Sequence, residues 1–256
     1  MPFHLQSPLL ASHGFRHGFS LRTGGVSEPP FDSLNLARSV GDRPEHVSEN
    51  LQRLASAVGY PAPALHEISQ VHGTDVIRVT AQTSVLELRQ SEADALISDQ
   101  PGRAIGVRVA DCVAVLLADP ASGAVAAVHA GWRGTAGGIL ARAVAALSGL
   151  SNAPPESLLA ALFPHIGPAA FEVGLEVAEQ IEACAPGAGA VLRGAHPRPH
   201  VDLSVALLCQ LRALGLGVQG IDRVAGCTFS EPSRFFSFRR DGQASGRHLA
   251  VIVPRC

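Results

Sequence analysis

The chain has 256 residues, 46% hydrophobic and 16% charged, enough apolar material for a sizeable core and too much for extended disorder. A formal net charge of −2, with no basic run, excludes a dedicated nucleic-acid or membrane-surface binder. All 20 basic residues are arginine, which excludes a lysine Schiff base and a P-loop lysine; any phosphate site must use arginines, backbone amides or helix ends.

Residues 14–36 are rich in glycine and turn formers. Pro44 opens a helix that runs to Val58 and stops at Gly59. Residues 64–80 read as one or two strands interrupted at Gly73. Short Val/Ile/Ala-rich runs at 104–109, 112–118 and 124–129 read as strands. A helix is expected from Thr135 to Leu147, and two more near 173–184 and 202–214. Further strands are expected at 159–163, 221–226, 235–238 and 248–253, with a long loop at 187–200. Helices and strands alternate without a regular βαβ rhythm and without repeats, which implies an α+β (mixed α/β) fold in a single domain, 1–256. The five cysteines are widely spaced with no CxxC, as in a reducing compartment. No apolar run is long enough to span a bilayer, and the N-terminus lacks the pattern of a secretion signal; a soluble cytoplasmic protein is expected.

The segment RVADCVAVLLADPASGAVAAVHAGWRG, residues 108–134, carries the sharpest signal. Asp119-Pro120 and Gly123 favour a turn. With a four-residue loop at 119–122, an antiparallel pairing sets Cys112 directly opposite His129, within reach of one metal ion or of each other as a nucleophile pair. His72, just before Gly73, is a third candidate ligand. Two His and one Cys leave a fourth position open, as catalytic zinc does. The Gly-rich turn after His129, with Arg133 at a helix start, is a candidate anion site. Arg22, Arg108 and the Arg239-Arg240 pair lie near plausible loops.

Taken together, the segments HGFSLRTGGVS (17–27), SLNLARSVGD (33–42), QVHGTDV (70–76), EADALIS (92–98), RVADCVAVLLAD (108–119), VHAGWRGT (128–135), HIGPAAFEVG (165–174), GCT (226–228) and FFSFRRDG with the following GRH (235–248) resemble the YfiH-like family, also called the multicopper polyphenol oxidase or laccase-domain family. They span nearly the whole chain in order. Ala114 stands where a proline is common, and residues 165–174 lack the cysteines often found there. The resemblance implies layered α/β/β/α mixed sheets, similar to the catalytic domain of cytotoxic necrotizing factor toxins. It implies a metal set of His72, Cys112 and His129, with zinc as the cofactor and copper as the alternative. It implies purine nucleoside phosphorylase activity together with adenosine deaminase and methylthioadenosine phosphorylase activities.

Phosphorolysis needs an anion site, for which Arg133, Arg22, Arg108 and Arg239 are candidates, with Asn35 and Gln70 as further substrate-binding residues. Deamination at C6 of adenine needs a metal-activated water and a proton shuttle; Asp111, Asp75 and Asp94 are the candidates. Asp111 adjoins Cys112 but falls on the opposite face of an ideal strand, so a bulge is needed to bring it in. The expected partners are purine nucleosides and phosphate, with no nucleic acid, no membrane and a monomeric protein. A Cys112–His129 amidohydrolase acting on peptidoglycan precursors is a second reading. A structural zinc site would need a fourth ligand, for which Cys227 is the candidate. A polyphenol oxidase is the weakest reading, because one His–Cys–His set cannot assemble several coppers.

Overall fold

A computed structural model describes residues 3–194 and 197–255. The strands are β1 (His4–Leu5), β2 (His17–Ser20), β3 (Leu65–His66), β4 (Val76–Val79), β5 (Ala95–Ser98), β6 (Ala104–Val109), β7 (Val113–Ala118), β8 (Val125–Ala130), β9 (Leu159–Leu162), β10 (Val191–Leu192), β11 (His200–Val201), β12 (Ile221–Arg223) and β13 (His248–Ile252). The helices are α1 (Pro8–Ser12), α2 (Pro44–Val58), α3 (Val85–Leu88), α4 (Trp132–Gly137), α5 (Ile139–Ser151), α6 (Leu175–Cys184), α7 (Leu203–Ala213) and α8 (Phe238–Asp241).

Two mixed sheets stack face to face: a five-stranded sheet in the order β1-β2-β13-β6-β3 and a six-stranded sheet in the order β12-β9-β7-β8-β5-β4. Strand periodicity builds three core layers. Along β13, Ala250 and Ile252 face the six-stranded sheet, whereas Leu249 and Val251 face α2. Along β7, Ala114, Leu116 and Ala118 face the five-stranded sheet, whereas Val113, Val115 and Leu117 face α5 to α7. The central strands are therefore apolar on both faces, and the layering is α/β/β/α. Phe19 and Phe163 stack between the sheets at 5.6 Å.

Several expectations hold closely. Helix α2 begins at Pro44 and ends with Gly59 in the left-handed region. Others are corrected. The helix expected at Thr135–Leu147 starts earlier and breaks in two, because Gly138 adopts φ +83° between α4 and α5. No strand forms at 235–238. Phe235 turns back, its N–H bonding Glu231 O, and the Ser237 hydroxyl accepts from Arg240 N–H to cap α8. The loop at 187–200 contains the short ribbon β10–β11; its residues 195 and 196 lie outside the described residues. Within the turn-rich 14–36 segment, β2 is fully buried.

The β7–β8 register also differs from the expected one. Ala114, not Cys112, lies opposite His129. The Asp119 carboxylate accepts from the amides of Ala121 and Ser122, at 3.2 and 2.9 Å, and its own N–H bonds Ala124 O. Asp119 therefore ends the strand instead of opening the loop, and the tight turn covers 120–123. A shift of two residues keeps every side chain on its face.

Candidate active site and metal centre

The site forms where the chain passes from one sheet to the other. Between β6 and β7 the crossing is made at Ala110–Cys112, with Asp111 at φ +91°. This backbone reversal supplies the bulge that an ideal strand lacks, and Asp111 and Cys112 both line the same cavity. His129 comes from the end of β8, and His72, at φ +60°, from the loop before β4. Ligand atoms of His72, Cys112 and His129 all lie within 4.8 Å of one another, and Cys112 Sγ is 3.8 Å from His72 Nε2. His129 is buried, Cys112 half-buried and His72 exposed. The soft thiolate and two imidazoles form a donor set suited to zinc or copper, with room for a further ligand from the cavity.

One buried carboxylate organises both histidines. Asp94 is fully buried. Its Oδ1 accepts from His129 Nδ1 at 2.7 Å and from the His72 N–H at 3.0 Å, and its Oδ2 accepts from the Gly73 N–H at 2.6 Å. The hydrogen bond to Nδ1 leaves His129 Nε2 facing Cys112, the orientation of a carboxylate–histidine–metal relay. The burial of Asp94 raises its pKa, but the His129 and amide donors more than offset this and hold the carboxyl below its ordinary value. Burial pushes the Cys112 thiol up, yet the two histidines pull it further down, to about 6. His129 is lowered by burial but raised to about 9 by Cys112 and Asp94. Without metal, the pair is therefore thiolate and imidazolium at neutral pH.

Gly131 keeps the centre open. A Cβ there would lie 2.9 Å from His72 Cδ2 and 3.0 Å from Cys112 Sγ. Gly131→Ala is expected to lower metal affinity about tenfold or more, by pushing the two ligands apart, with little change in melting temperature. Metal titration alongside thermal unfolding checks this.

A cavity of about 730 Å³ opens over the three residues. Of the expected substrate residues, Gln70, Arg108 and Arg239 line it. Gln70 and Arg108 exchange hydrogen bonds at 2.8 and 2.7 Å between the Gln70 amide and the Arg108 backbone. Asp111 accepts from Thr228 Oγ1 and from the Arg239 N–H, both at 2.6 Å, so its carboxylate anchors the start of α8. The structure does not bring the other three to the cavity. Asn35 is buried behind it, accepting from the N–H groups of Ala37 and Arg247. Arg22 pairs with Asp32 and Pro232 O in a separate depression. Arg133 stacks on Trp132, 4.4 Å from the ring centroid, in another depression beside α6. It points there because α4 begins at Trp132, directly after the Gly131 cap that follows β8, and carries Arg133 to the side of α6. Of the other candidates, Asp75 is exposed against Arg142, and the Cys227 sulfur accepts from Gly167 N–H outside the three-residue cluster.

Sequence reading passed over Arg38, Arg89, Arg247, Phe171 and Phe238, all on the cavity wall. Arg38 and Arg247 sit inside the SLNLARSVGD and GRH segments, which were the available signal; nothing local marks Arg89. The metal-site residues belong to β7, β8 and the approaches to β4 and β5 in the six-stranded sheet. Arg108 and Arg247 belong to β6 and the approach to β13 in the five-stranded sheet.

Comparisons with known proteins identify the family and agree with the fold. Residues 16–255 match the family model described as multi-copper polyphenol oxidoreductase laccase. The purine nucleoside phosphorylase YfiH of Escherichia coli (strain K12) is 41% identical over 236 residues, 91% of each chain. A purine nucleoside phosphorylase of Deinococcus radiodurans is 38% identical over 252 residues, 98% of this chain and 93% of that one. The crystal structure of YlmD from Geobacillus stearothermophilus superposes with a TM-score of 0.90 at 32% identity, covering 100% of this chain and 97% of that one. Neisseria meningitidis protein NMB0706 gives 0.86 at 35% identity, with both chains fully covered. No helix among the described residues is long and apolar enough to cross a membrane. With one family model running from the start of β2 to the end of the described chain, this protein belongs to the multi-copper polyphenol oxidoreductase laccase family.

Proposed function

We propose that the cavity is the active site of a purine nucleoside phosphorylase that also deaminates adenosine and accepts methylthioadenosine. The observation that carries this reading is a His–Cys–His set at the edge of a cavity of about 730 Å³ whose wall also carries Arg38, Arg89, Arg108, Arg239 and Arg247. That volume suits a nucleoside with a second small reactant. The likeness in sequence to proteins named purine nucleoside phosphorylase supports the same chemistry.

His72, Cys112 and His129 would hold the metal, zinc in preference to copper, and Asp94 would fix the tautomer and orientation of His129. When bound, the metal supplies Lewis-acid chemistry at the C6 edge of the purine. Phe171 and Phe238, each under a guanidinium at 5.2 and 5.3 Å, offer apolar faces to the base. Gln70 and Arg239 orient the nucleoside. Asp111, its carboxylate already bonded to Thr228 and the Arg239 N–H, acts by positioning Arg239.

Incubating the purified protein with adenosine and with inosine, with and without phosphate, separates the activities by chromatography. Inosine should yield hypoxanthine and ribose 1-phosphate only with phosphate, whereas adenosine should yield inosine in either case. No base release and no inosine under these conditions would sink the reading. The thiolate–imidazolium pair favours one rival, a Cys112–His129 amidohydrolase. That activity would survive a chelator and die with thiol alkylation. Among the described residues there is one three-ligand cluster, too few donors for the several coppers of a polyphenol oxidase.

A further inference from the structure

On the wall contributed by α3, β6 and the loops after Leu36 and β3, three guanidiniums gather around one carboxylate. Glu67 has only 2% of its side chain exposed, and neither carboxylate oxygen makes a hydrogen bond. Its nearest cations are Arg108 Nε at 3.7 Å and Arg89 Nε at 3.8 Å, which are ion-pair contacts too long for hydrogen bonds. The buried Arg89 Nε has no hydrogen-bond partner. Arg38 lies in the same field: burial lowers its pKa, Arg89 and Arg108 lower it further, and Glu67 opposes them. Three cations against one anion leave an uncompensated charge of about +2 on this wall. Apart from Arg108 Nη2, which donates to Ile68 O at 3.2 Å, no guanidinium N–H of the three is hydrogen-bonded among the described residues, and Arg38, Arg89 and Arg108 all line the cavity. Ser39 and Ser69 line the same cavity.

We propose that this wall, Arg38, Arg89 and Arg108 with Ser39 and Ser69, is the subsite for a tetrahedral dianion, the hydrogen phosphate of the phosphorolytic reaction. The identity of the dianion rests on the function proposed above; the anion site itself does not. A guanidinium set of net charge +2 matches hydrogen phosphate in charge and in its fork-shaped donors. The arrangement also lets one orientation of the nucleoside serve both chemistries, with the C6 edge toward His72, Cys112 and His129 and C1′ toward the arginines. In phosphorolysis a phosphate oxygen forms the bond to C1′ as the C1′–N9 bond breaks. The electron pair leaves with the purine, and the proton carried by hydrogen phosphate ends on the base.

The probe is inorganic phosphate, titrated calorimetrically into wild type, Arg38→Ala, Arg89→Ala and Arg133→Ala, each checked for an unchanged melting curve. Arg38→Ala and Arg89→Ala should bind phosphate at least tenfold more weakly, and Arg133→Ala should match wild type. Arg89→Lys, which keeps the charge without the fork, should recover part of the loss and guards against a variant that fails to fold. In turnover, the KM for phosphate should rise at least tenfold in both alanine variants. Unchanged phosphate affinity in both variants, no binding by wild type, or a loss seen in Arg133→Ala instead, overturns the subsite. Arginine-dependent phosphate binding by a wild type that cleaves no nucleoside would leave the subsite standing and remove the phosphorylase reading. Cleavage that saturates at the same phosphate concentration in all variants would do the reverse.

Discussion

Cys112→Ala is expected to lower metal affinity by more than about 100-fold and to remove adenosine deamination. Only two imidazoles would remain, with no anionic donor among the ligands. Loss of an outer partner alone typically costs 10–100-fold, so loss of a direct ligand should exceed that range. Phosphorolysis has no intrinsic need of a metal-activated water, yet it should fall with deamination, because His72, Cys112 and His129 also form one wall of the cavity proposed to receive the nucleoside. Metal content by mass spectrometry, read beside both activities, checks the two halves together. A variant that keeps full deaminase activity without metal would show that the metal plays no part in deamination. One that loses deamination but keeps phosphorolysis would show that the metal does not orient the substrate.

Metal affinity should rise about tenfold per pH unit between about pH 7 and 9 and then level off. In that interval Cys112, brought down to about 6, is already a thiolate, while His129, raised to about 9, still carries the proton that the metal must displace. One proton leaves per ion bound, and above about 9 none does. Titration in buffers of different ionisation enthalpy counts that proton directly. Asp94→Asn removes one of the charges that raise His129 and turns one of the two oxygens that accept from His129, His72 and Gly73 into a donor, which disturbs the ring's support. Affinity should drop about 10–100-fold, and the plateau should begin at lower pH. A pH profile identical to wild type would mean that Asp94 does not hold the His129 proton.

The mixed α+β class was legible because strand alternation and helix stop signals act locally, whereas the α/β/β/α layering was implied only by the family resemblance. Pro44 and Gly59 bracket α2 without reference to anything distant. The His–Cys–His set was legible in part. Period two fixed the face of Cys112 and His129 despite the two-residue error in register, and that error arose because Asp119 caps the turn through its side chain. What remained hidden depends on long-range placement. Arg133 lay beside the right sequence but on the wrong side of α4, and Arg89 and Glu67 meet Arg108 only once β3 pairs with β6. The strand expected at 235–238 failed because Phe235 and Phe236 are buried between the turn at 232–234 and helix α8, which Ser237 caps, and that burial mimics a strand's.

The division of the cavity between two sheets makes the packed interior a spacer gauge. The metal-binding residues ride on one sheet and Arg108 with Arg247 on the other, so the gap between them is set by the side chains wedged in between, Phe19 against Phe163 and Leu116 against its neighbours. Stacked sheets sit roughly 10 Å apart, and that separation responds to the bulk of the residues inside. Trimming or enlarging a residue far from any substrate would therefore retune the reach between the two halves of the site. Under the proposed function, the choice among nucleosides of different size becomes a property of the core as much as of the cavity lining.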